Sequence, residues 1–336
     1  MNVFVAGGSG FVGRSVCRVL VDRGHGVTAA SRTPDPSELP ADVEAVSVDV
    51  TDPDLDDAVA GHDAVVNLVA LPSHVQARGR SHESVHADGT RHLVAASERT
   101  GVDRFVQLSG LGVDSGVETA YFKAKRRAER IVRESSLEWV IFRPSVIFGD
   151  GCAFVPFLER LAPPLVIPLP GGGRTPLQPI WVEDLTPLIA DGLAEDRHVG
   201  NAYEIGGPER LTLAEIVTRV RDGVVVPIPM ALTAVLATLV DPLPWIPVGR
   251  DQYRALTLEN TTRNDALAAF DVDPDSLRPF SADVPSEGEI SAAASSEPVR
   301  RERRTDGKRH TSAEPHTDGE PHTRSERPER DSGVRP

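Results

Sequence analysis

A turn with four glycines follows the first apolar stretch of the chain, in the segment "VFVAGGSGFVGRSV" at residues 3–16. Gly7, Gly10 and Gly13 have the spacing G-x-x-G-x-x-G. Between a strand and a helix, the first such glycine permits a tight turn, the second lets the backbone approach a pyrophosphate, and the third lets helix and strand pack closely. The helix N-terminus then offers free N–H groups and partial positive charge to phosphate groups. The segment therefore predicts a dinucleotide-binding turn, with a purely structural turn as the alternative.

Apolar runs and helical patterns alternate along the first part of the chain. Runs such as "DAVVNLVA" (63–70) and "DRFVQLS" (103–109) are typical of parallel strands that helices cover on both faces. Helices are predicted at 11–23, 82–100 and 119–135. The pattern predicts an α/β fold with a doubly wound parallel sheet of the Rossmann type over residues 1–150, completed by parts of 175–206.

The chain changes character after this core. Residues 151–284 are expected to form a smaller, mixed C-terminal lobe that covers the crevice and binds substrate. Residues 285–336 contain no aromatic residue and are rich in Glu, Arg, Ser, Pro and His. Such a segment cannot bury enough apolar area to offset the entropy of ordering, so we predict a disordered, charged tail.

Composition restricts the environment and the partners. The chain has 36 Lys and Arg residues against 50 Asp and Glu, a formal charge of −14. An acidic surface with few lysines suits a salt-rich, halophilic cytoplasm in which screening removes self-repulsion. A GC-rich genome that favours Arg and Asp codons would produce the same bias. In either case, the acidic surface argues against nucleic acid as a partner.

Secretion and membrane insertion are not expected. Residues 1–6 have the pattern of a strand rather than of a signal peptide, and no run of 18 apolar residues appears. Cys17 and Cys152 form no pattern for a disulfide framework or a metal site, and no metal is predicted. We expect a cytoplasmic protein, with peripheral contact at the inner face of the membrane left open.

The second predicted strand ends in "AASRTP" at 29–34. NAD-binding proteins of this fold usually carry Asp or Glu here, which accepts hydrogen bonds from the ribose hydroxyls. This chain has Ser31 and Arg32 instead. A carboxylate would repel a 2′-phosphate, whereas an arginine can bind it. We therefore expect NADP(H) to be preferred over NAD(H); the alternative is that Arg32 is a solvated loop residue.

A tyrosine and a lysine lie one helical turn apart in "YFKAK" at 121–125. The whole chain has three lysines, and two of them fall in this pentapeptide. An arginine does not replace a lysine where a compact ammonium is needed. Lysine scarcity therefore argues against a chance pairing of Tyr121 with Lys125.

These motifs resemble the short-chain dehydrogenase/reductase superfamily, in the extended and atypical branches that include NAD-dependent epimerases and dehydratases. "HADGTRHLVAAS" (86–97) resembles a helix that reads N-x-x-G-T-x-x-L in relatives, with His86 in place of the asparagine. "QPIWVEDL", "NAYEIGGPERLTLAEI" and "PVGRDQYRALTLEN" resemble segments of a narrower group. That group contains the nucleotide-binding accessory subunit of respiratory complex I and its free-standing prokaryotic relatives. The resemblance covers roughly residues 1–280.

The resemblance implies roles for individual residues. Tyr121 would be the general acid/base, Lys125 would lower its pKa and bind the nicotinamide ribose, and Ser109 would orient the substrate carbonyl. Asp49, at the end of the third strand, would lie near the adenine. The cofactor contacts that it implies are Gly7, Gly8, Ser9, Gly10, Phe11, Val12, Gly13, Ser31, Arg32, Asp49, Val50, Asn67, Leu68, Val69, Ala70, Lys125 and Pro144.

Two classes of function stay open. One is an NADP(H)-dependent oxidoreductase or epimerase that acts on a small, apolar molecule such as a quinone or isoprenoid. The other is a non-catalytic structural or assembly protein whose dinucleotide only stabilises the fold, in contact with a respiratory complex. The apolar, proline-broken stretch 224–249 is a lid over the substrate, a surface that contacts a membrane, or a buried helix of the lobe.

Overall fold

A parallel β-sheet forms the centre of the protein. The computed structural model describes residues 1–71, 80–163, 165–233 and 258–281. Within them the strands are β1 (Asn2–Ala6), β2 (Gly26–Ser31), β3 (Val43–Ser47), β4 (Ala64–Asn67), β5 (Arg104–Leu108), β6 (Glu138–Pro144), β7 (Ile147–Phe148), β8 (Leu165–Pro170), β9 (Pro176–Leu177), β10 (Ile180–Trp181), β11 (Asn201–Ile205), β12 (Leu211–Thr212) and β13 (Gly223–Ile228). The central sheet has the order β11-β6-β5-β4-β1-β2-β3, and every neighbouring pair in it is parallel.

Helices connect these strands. The α-helices of the described residues are α1 (Phe11–Asp22), α2 (Asp56–Val59), α3 (Gly89–Thr100), α4 (Ala120–Glu134), α5 (Phe154–Leu161), α6 (Val182–Ala194) and α7 (Leu213–Val220). A π-helical turn, Glu83–Asp88, leads directly into α3. Short 3-10 turns lie at Pro36–Glu38, Asp196–His198, Asp265–Phe270 and Pro274–Ser276.

The side chains of β1 alternate between two buried layers. Val3 and Val5 pack with α1 and α6 on one face of the sheet. Phe4 packs with α2, α3 and α4 on the other face. Because both faces are covered, the strand is an uninterrupted apolar run in the sequence. This arrangement confirms the predicted doubly wound α/β fold.

The chain order in the sheet reverses next to β1. The strands β2 and β3 lie on one side of β1, and β4, β5, β6 and β11 lie on the other. In open parallel sheets, ligands bind in the crevice at the carboxyl ends of the strands, where the order reverses. The site described below lies at this crevice.

A third apolar core forms after β6. It packs α5, α7 and β8 around the rings of Phe148, Trp181 and Phe280. Short strand pairs frame it: β7 with β10 and β8 with β13 are parallel, and β9 with β12 is antiparallel. This core supplies the walls of the crevice that the central sheet does not supply.

The observed elements differ in detail from those predicted. The helix predicted at 82–100 begins with the π-helical turn, and β3 ends at Ser47, so that Asp49 lies beyond the strand rather than at its end. The predicted tail at 285–336, and the part of the apolar stretch from 234 to 249, lie outside the described residues. Among the residues that are described, no helix is both long enough and apolar enough to cross a bilayer.

Candidate dinucleotide and substrate site

A cavity of about 1230 Å³ occupies the crevice. Its walls come from the glycine turn after β1, from the ends of β2, β4, β5 and β6, and from α4. The third core contributes α5, β8, α7 and the segment around Asn260. The cavity therefore joins a wall made by the N-terminal strands to a wall made by the C-terminal residues.

The glycine turn has a backbone that side chains would disrupt. Gly7 has φ of +85°, a region that favours glycine. A Cβ on Gly13 would lie 2.1 Å from the carbonyl oxygen of Gly7, so α1 packs against the turn only without one. Gly10 is the N-cap of α1, and no side chain makes a capping hydrogen bond there. The positive end of α1 and an open backbone thus face the cavity.

Two of the predicted cofactor contacts do not line the cavity. Gly8 packs against β2, where an added Cβ would lie 2.7 Å from a side chain of that strand. Asn67 is buried, donates to Thr90 Oγ1 (3.1 Å) and Gln107 Oε1 (3.0 Å), and accepts from the backbone N–H of Val69 (3.2 Å). Asn67 therefore lies outside the cavity lining and fixes the loop after β4 through these hydrogen bonds.

The end of β2 carries no carboxylate. Ser9 Oγ donates to Ser31 Oγ at 2.7 Å, which ties the glycine turn to this strand end. The exposed Arg32 lines the cavity, and its guanidinium makes no hydrogen bond or ion pair with any described residue. Its guanidinium therefore remains available for an anion next to the predicted ribose site.

Asp49 lies at the same end of the cavity. It accepts hydrogen bonds from the backbone N–H (3.1 Å) and the hydroxyl (2.9 Å) of Thr51, and it pairs with Arg80. Burial opposes ionisation, but these hydrogen bonds and the Arg80 charge hold the pKa of Asp49 below its usual range. The sequence offered no signal for Arg80, which lines the cavity as well.

Tyr121 and Lys125 lie together on the cavity wall. The Lys125 ammonium donates to the carbonyl oxygen of Leu108 at 2.9 Å and lies 5.9 Å from the centre of the Tyr121 ring. Burial lowers the pKa of Lys125 to about 8, while the neighbouring Glu129 charge opposes that shift. Burial raises the pKa of Tyr121 to about 12. A phenol and an ammonium thus share a desolvated position beside the crevice.

The C-terminal wall of the cavity is apolar. Among described residues 151–281, no charged side chain lines the cavity. The apolar lining residues of this wall are Ala153, Phe154, Phe157, Leu158, Ala162, Pro168, Leu169, Pro170, Leu177, Leu213, Val217, Ile228 and Leu258. The surface favours hydrocarbon over a charged group, since burying an unpaired charge is costly.

Comparisons with known proteins agree with this geometry. A family model described as NAD(P)H-binding matches residues 7–151. The 2-alkyl-3-oxoalkanoate reductase of Stenotrophomonas maltophilia is 30% identical over 246 residues, which cover 65% of this chain and 74% of that protein. This chain belongs to the short-chain dehydrogenase/reductase superfamily of NAD(P)-binding proteins.

One further relative and one solved structure are similar to this chain over most of its length. Subunit 9 of the NADH dehydrogenase [ubiquinone] 1 alpha subcomplex from Arabidopsis thaliana is 28% identical over 297 residues, covering 80% of this chain and 73% of that protein. The structure of UDP-glucose 4-epimerase from Thermotoga maritima has a TM-score of 0.58 at 20% identity and covers 68% of this chain and 86% of that one. The predicted resemblance to extended dehydrogenases/reductases and to the complex I subunit is confirmed.

The glycine turn fits a superfamily coenzyme. Gly7 and Gly13 leave no room for side chains, and the uncapped N-terminus of α1 faces the cavity. That geometry accepts a pyrophosphate, which the backbone N–H groups can bind. The other cofactor candidates that line this wall are Ser9, Gly10, Phe11, Val12, Ser31, Arg32, Asp49, Val50, Leu68, Val69, Ala70, Lys125 and Pro144.

The serine of the predicted Ser-Tyr-Lys set is placed differently from the other two residues. Ser109 lines the cavity, and its hydroxyl is buried near the carboxylate of Glu129 without a hydrogen bond to a described residue. No hydrogen bond joins Ser109 to Tyr121 among the described residues. The backbone that faces the phenol belongs to Gly110, where an added Cβ would lie 3.1 Å from Tyr121 Oη. The position next to the phenol therefore carries no hydroxyl.

A buried ion pair lies behind this part of the site. Glu129 accepts from Arg143 Nε (2.9 Å) and Nη2 (2.7 Å), and it is 1% exposed. Burial opposes its ionisation, but the Arg143 contacts lower the pKa of Glu129. Tyr121, Lys125 and Glu129 follow one another at intervals of four on α4. This spacing is visible in the sequence and is the signal that could have identified Glu129 as part of the site.

Two histidines contact the Tyr121 ring. The rings of His82 and His86 stack with centres 5.6 Å apart, and each lies edge-on to the Tyr121 ring, at 5.7 and 5.5 Å. His86 is buried, and Leu71 N–H donates to its Nε2 (3.3 Å). Burial, followed by the Lys125 charge, lowers the pKa of His86 to about 2. The sequence identified His86 only as a replacement for asparagine, and it did not identify His82.

Proposed function

We propose that this protein is an NAD(P)(H)-dependent oxidoreductase that acts on a carbonyl or hydroxyl group of a predominantly apolar substrate. One observation carries the proposal: a single cavity runs from the glycine turn, past Tyr121 and Lys125, to a wall on which no residue that the structure describes carries a charge. A coenzyme on the turn and a substrate on that wall would meet beside Tyr121. Epimerisation of a sugar nucleotide is less favoured, because the described residues of that wall include no Lys or Arg to pair with a diphosphate.

The chemistry divides between coenzyme and protein. The coenzyme supplies or accepts a hydride. Tyr121 would supply the proton for the substrate oxygen, and Lys125 would favour the phenolate when the proton has left. The name of the Stenotrophomonas reductase, with its alkyl and oxoalkanoate groups, is consistent with an apolar ketone as substrate.

The coenzyme is proposed to be NADP(H) in preference to NAD(H). Ser31 is engaged with Ser9, and Arg32 has no partner among the described residues at the strand end where an acidic residue would select NAD. A guanidinium at this position can bind a 2′-phosphate through charge-assisted hydrogen bonds.

The proposal is tested by following NADPH absorbance with methyl 3-oxodecanoate and a short-chain ubiquinone, with UDP-glucose as a third compound. We expect one of the two apolar compounds to be reduced. UDP-glucose has no ketone or aldehyde to reduce, so it is followed by its conversion to UDP-galactose, and we expect none. Tyr121→Phe should lower turnover by about 10²–10⁴, the usual contribution of general acid/base catalysis, while NADPH affinity stays within twofold or so. Turnover in Tyr121→Phe equal to that of the wild type would reject the assigned role.

A second function is favoured by Gly110. The missing hydroxyl beside Tyr121, and a phenol whose pKa burial raises, suit a protein that binds a dinucleotide without turning it over. A relative that matches 80% of this chain is named as a subunit of NADH dehydrogenase. This alternative predicts that the protein purifies with a dinucleotide that no substrate oxidises or reduces.

A further inference from the structure

The π-helical turn before α3 gives the site an unusual feature. A π-helix is rare and occurs mostly as a single turn, frequently at functional sites. Here the turn Glu83–Asp88 packs against α4, and the imidazoles of His82 and His86 stack within 10° of parallel. Both rings approach the Tyr121 ring at nearly right angles, with interplanar angles of 87°.

The two histidines differ in their surroundings. His86 is 2% exposed, contacts the backbone of Leu71 and does not line the cavity. His82 is half-buried and lines the cavity together with Tyr121. His86 therefore packs on the side of the His82 ring away from the cavity wall, and the His82 ring is the one that a molecule in the cavity could contact.

Where Gly110 faces Tyr121, no side-chain hydroxyl of a described residue lies next to the phenol. Gly110 faces the phenol without a hydroxyl, and the buried Ser109 hydroxyl lies near Glu129 without a hydrogen bond to Tyr121 or to another described residue. Lys125 donates to the carbonyl oxygen of Leu108. A substrate oxygen at Tyr121 would thus meet one phenolic donor unless another side chain reaches it.

We propose that the His82 imidazole N–H donates a hydrogen bond to the substrate oxygen beside Tyr121, in the role that a hydroxyl at position 110 would have. The inference rests on the proposed function for the class of substrate. It assigns His82 as a catalytic residue, since it would touch the reacting oxygen, and His86 as the residue that positions it. No further proton or electron is transferred in this assignment, because the N–H only polarises the oxygen.

The test measures binding rather than turnover, with two probes that differ in one oxygen. Methyl 3-oxodecanoate and methyl decanoate are titrated into the full-length protein in the presence of NADP⁺, which prevents reduction. We expect the wild type to bind the keto ester about fivefold more tightly, the usual effect of one neutral hydrogen bond. His82→Phe should lower this preference by about half or more, since Tyr121 is then the remaining donor, while methyl decanoate affinity changes by less than about twofold.

Matched variants make the result specific. Glu83 lies in the same turn, pairs with Arg127 and does not line the cavity. Glu83→Gln should therefore keep the preference for the keto ester. His82→Gln retains an N–H donor and should recover part of it. A thermal melt of each variant verifies folding. A keto preference in His82→Phe equal to that of the wild type, or no keto preference in the wild type, overturns the inference.

The outcome separates this inference from the proposed function. A wild type that prefers the keto ester through His82 but never oxidises NADPH keeps the contact and rejects catalysis. A wild type that reduces the ester, with no role for His82 in binding it, keeps catalysis and rejects the contact.

Discussion

The two ends of the cavity are built by different parts of the chain. The coenzyme end is mainly backbone: Gly7, Gly10 and Gly13 come from one turn, and α1 adds its N-terminus. The reacting end is mainly side chains, and Tyr121 meets His82 from an element that lies nearly forty residues earlier in the chain. A local motif can therefore specify a backbone cradle, whereas side chains from distant segments meet only when the whole fold assembles.

The largest expected effect would come from the buried charge behind the reacting end. Glu129→Gln leaves Arg143 without its closest buried partner, so we expect the free energy of unfolding to fall by about 3 kcal/mol, measured in urea. Loss of the Glu129 charge should also lower the pKa of Lys125 below about 8, so that pH-dependent coenzyme binding shifts to lower pH. Glu134→Gln, at the exposed end of the same helix, is the control and should change neither quantity.

The next effect tests whether the coenzyme end really depends on backbone. Gly13→Ala places a Cβ 2.1 Å from the Gly7 carbonyl oxygen, so the turn must open. We expect a loss of about 2–3 kcal/mol in the free energy of unfolding and a marked loss of coenzyme affinity. Gly24 follows the same helix with φ of +80°, and an added Cβ there would meet open space. Gly24→Ala should therefore lower the free energy of unfolding by only about 1 kcal/mol and leave coenzyme affinity unchanged. Equal coenzyme affinity in the two variants would contradict the cradle.

Arg32 is the one side chain at the coenzyme end from which we expect a selective effect. If Arg32 binds a 2′-phosphate as proposed, Arg32→Asp removes a charge-assisted hydrogen bond, so NADPH affinity should fall by about 1.5–3 kcal/mol while NADH is affected much less. Isothermal titration at one fixed salt concentration measures both, because screening would reduce the difference. Equal weakening of both coenzymes, or of neither, rejects the assignment.

The smallest effect concerns acid stability at the reacting end. His86 has a pKa lowered to about 2 in the folded protein, below the value of 6.5 for an exposed histidine. Neutral His86 therefore contributes its full share to the free energy of unfolding above about pH 6.5. This contribution is lost as the pH falls below 6.5, because the unfolded protein then binds a proton that the folded protein does not. Between about pH 7.5 and about pH 5.5, His86→Asn should lose about 1.4 kcal/mol less stability than the wild type. Parallel pH profiles for the two proteins would show that His86 does not titrate on unfolding.

The fold was predictable because its signals are local. Apolar runs such as 63–70 correspond to the buried strand β4, and the helices α1 and α4 begin within one residue of their predicted starts. The elements that differ are those set by packing. The chain before α3 forms a π-helical turn where regular helix was predicted, and it packs against α4.

The site was predictable in composition but not in orientation. Most of the predicted residues line one cavity, because the carboxyl ends of parallel strands meet at the same edge of a sheet. Gly8 and Asn67 belong to the same segments and face away from it, toward β2 and toward Thr90. Motif spacing identifies the segment, but the backbone conformation within it decides which atoms face the cavity.

By itself, the sequence determined the parallel sheet, the glycine turn at its first strand and the pairing of Tyr121 with Lys125 on one helix face. These features depend on backbone conformation and on contacts within a few residues. The tertiary structure decided that Gly110 rather than Ser109 faces the phenol, and that a histidine comes to the same place from another helix. The physical reason is that neighbouring residues of an extended chain point to opposite sides, so one step along the chain changes which group meets the substrate.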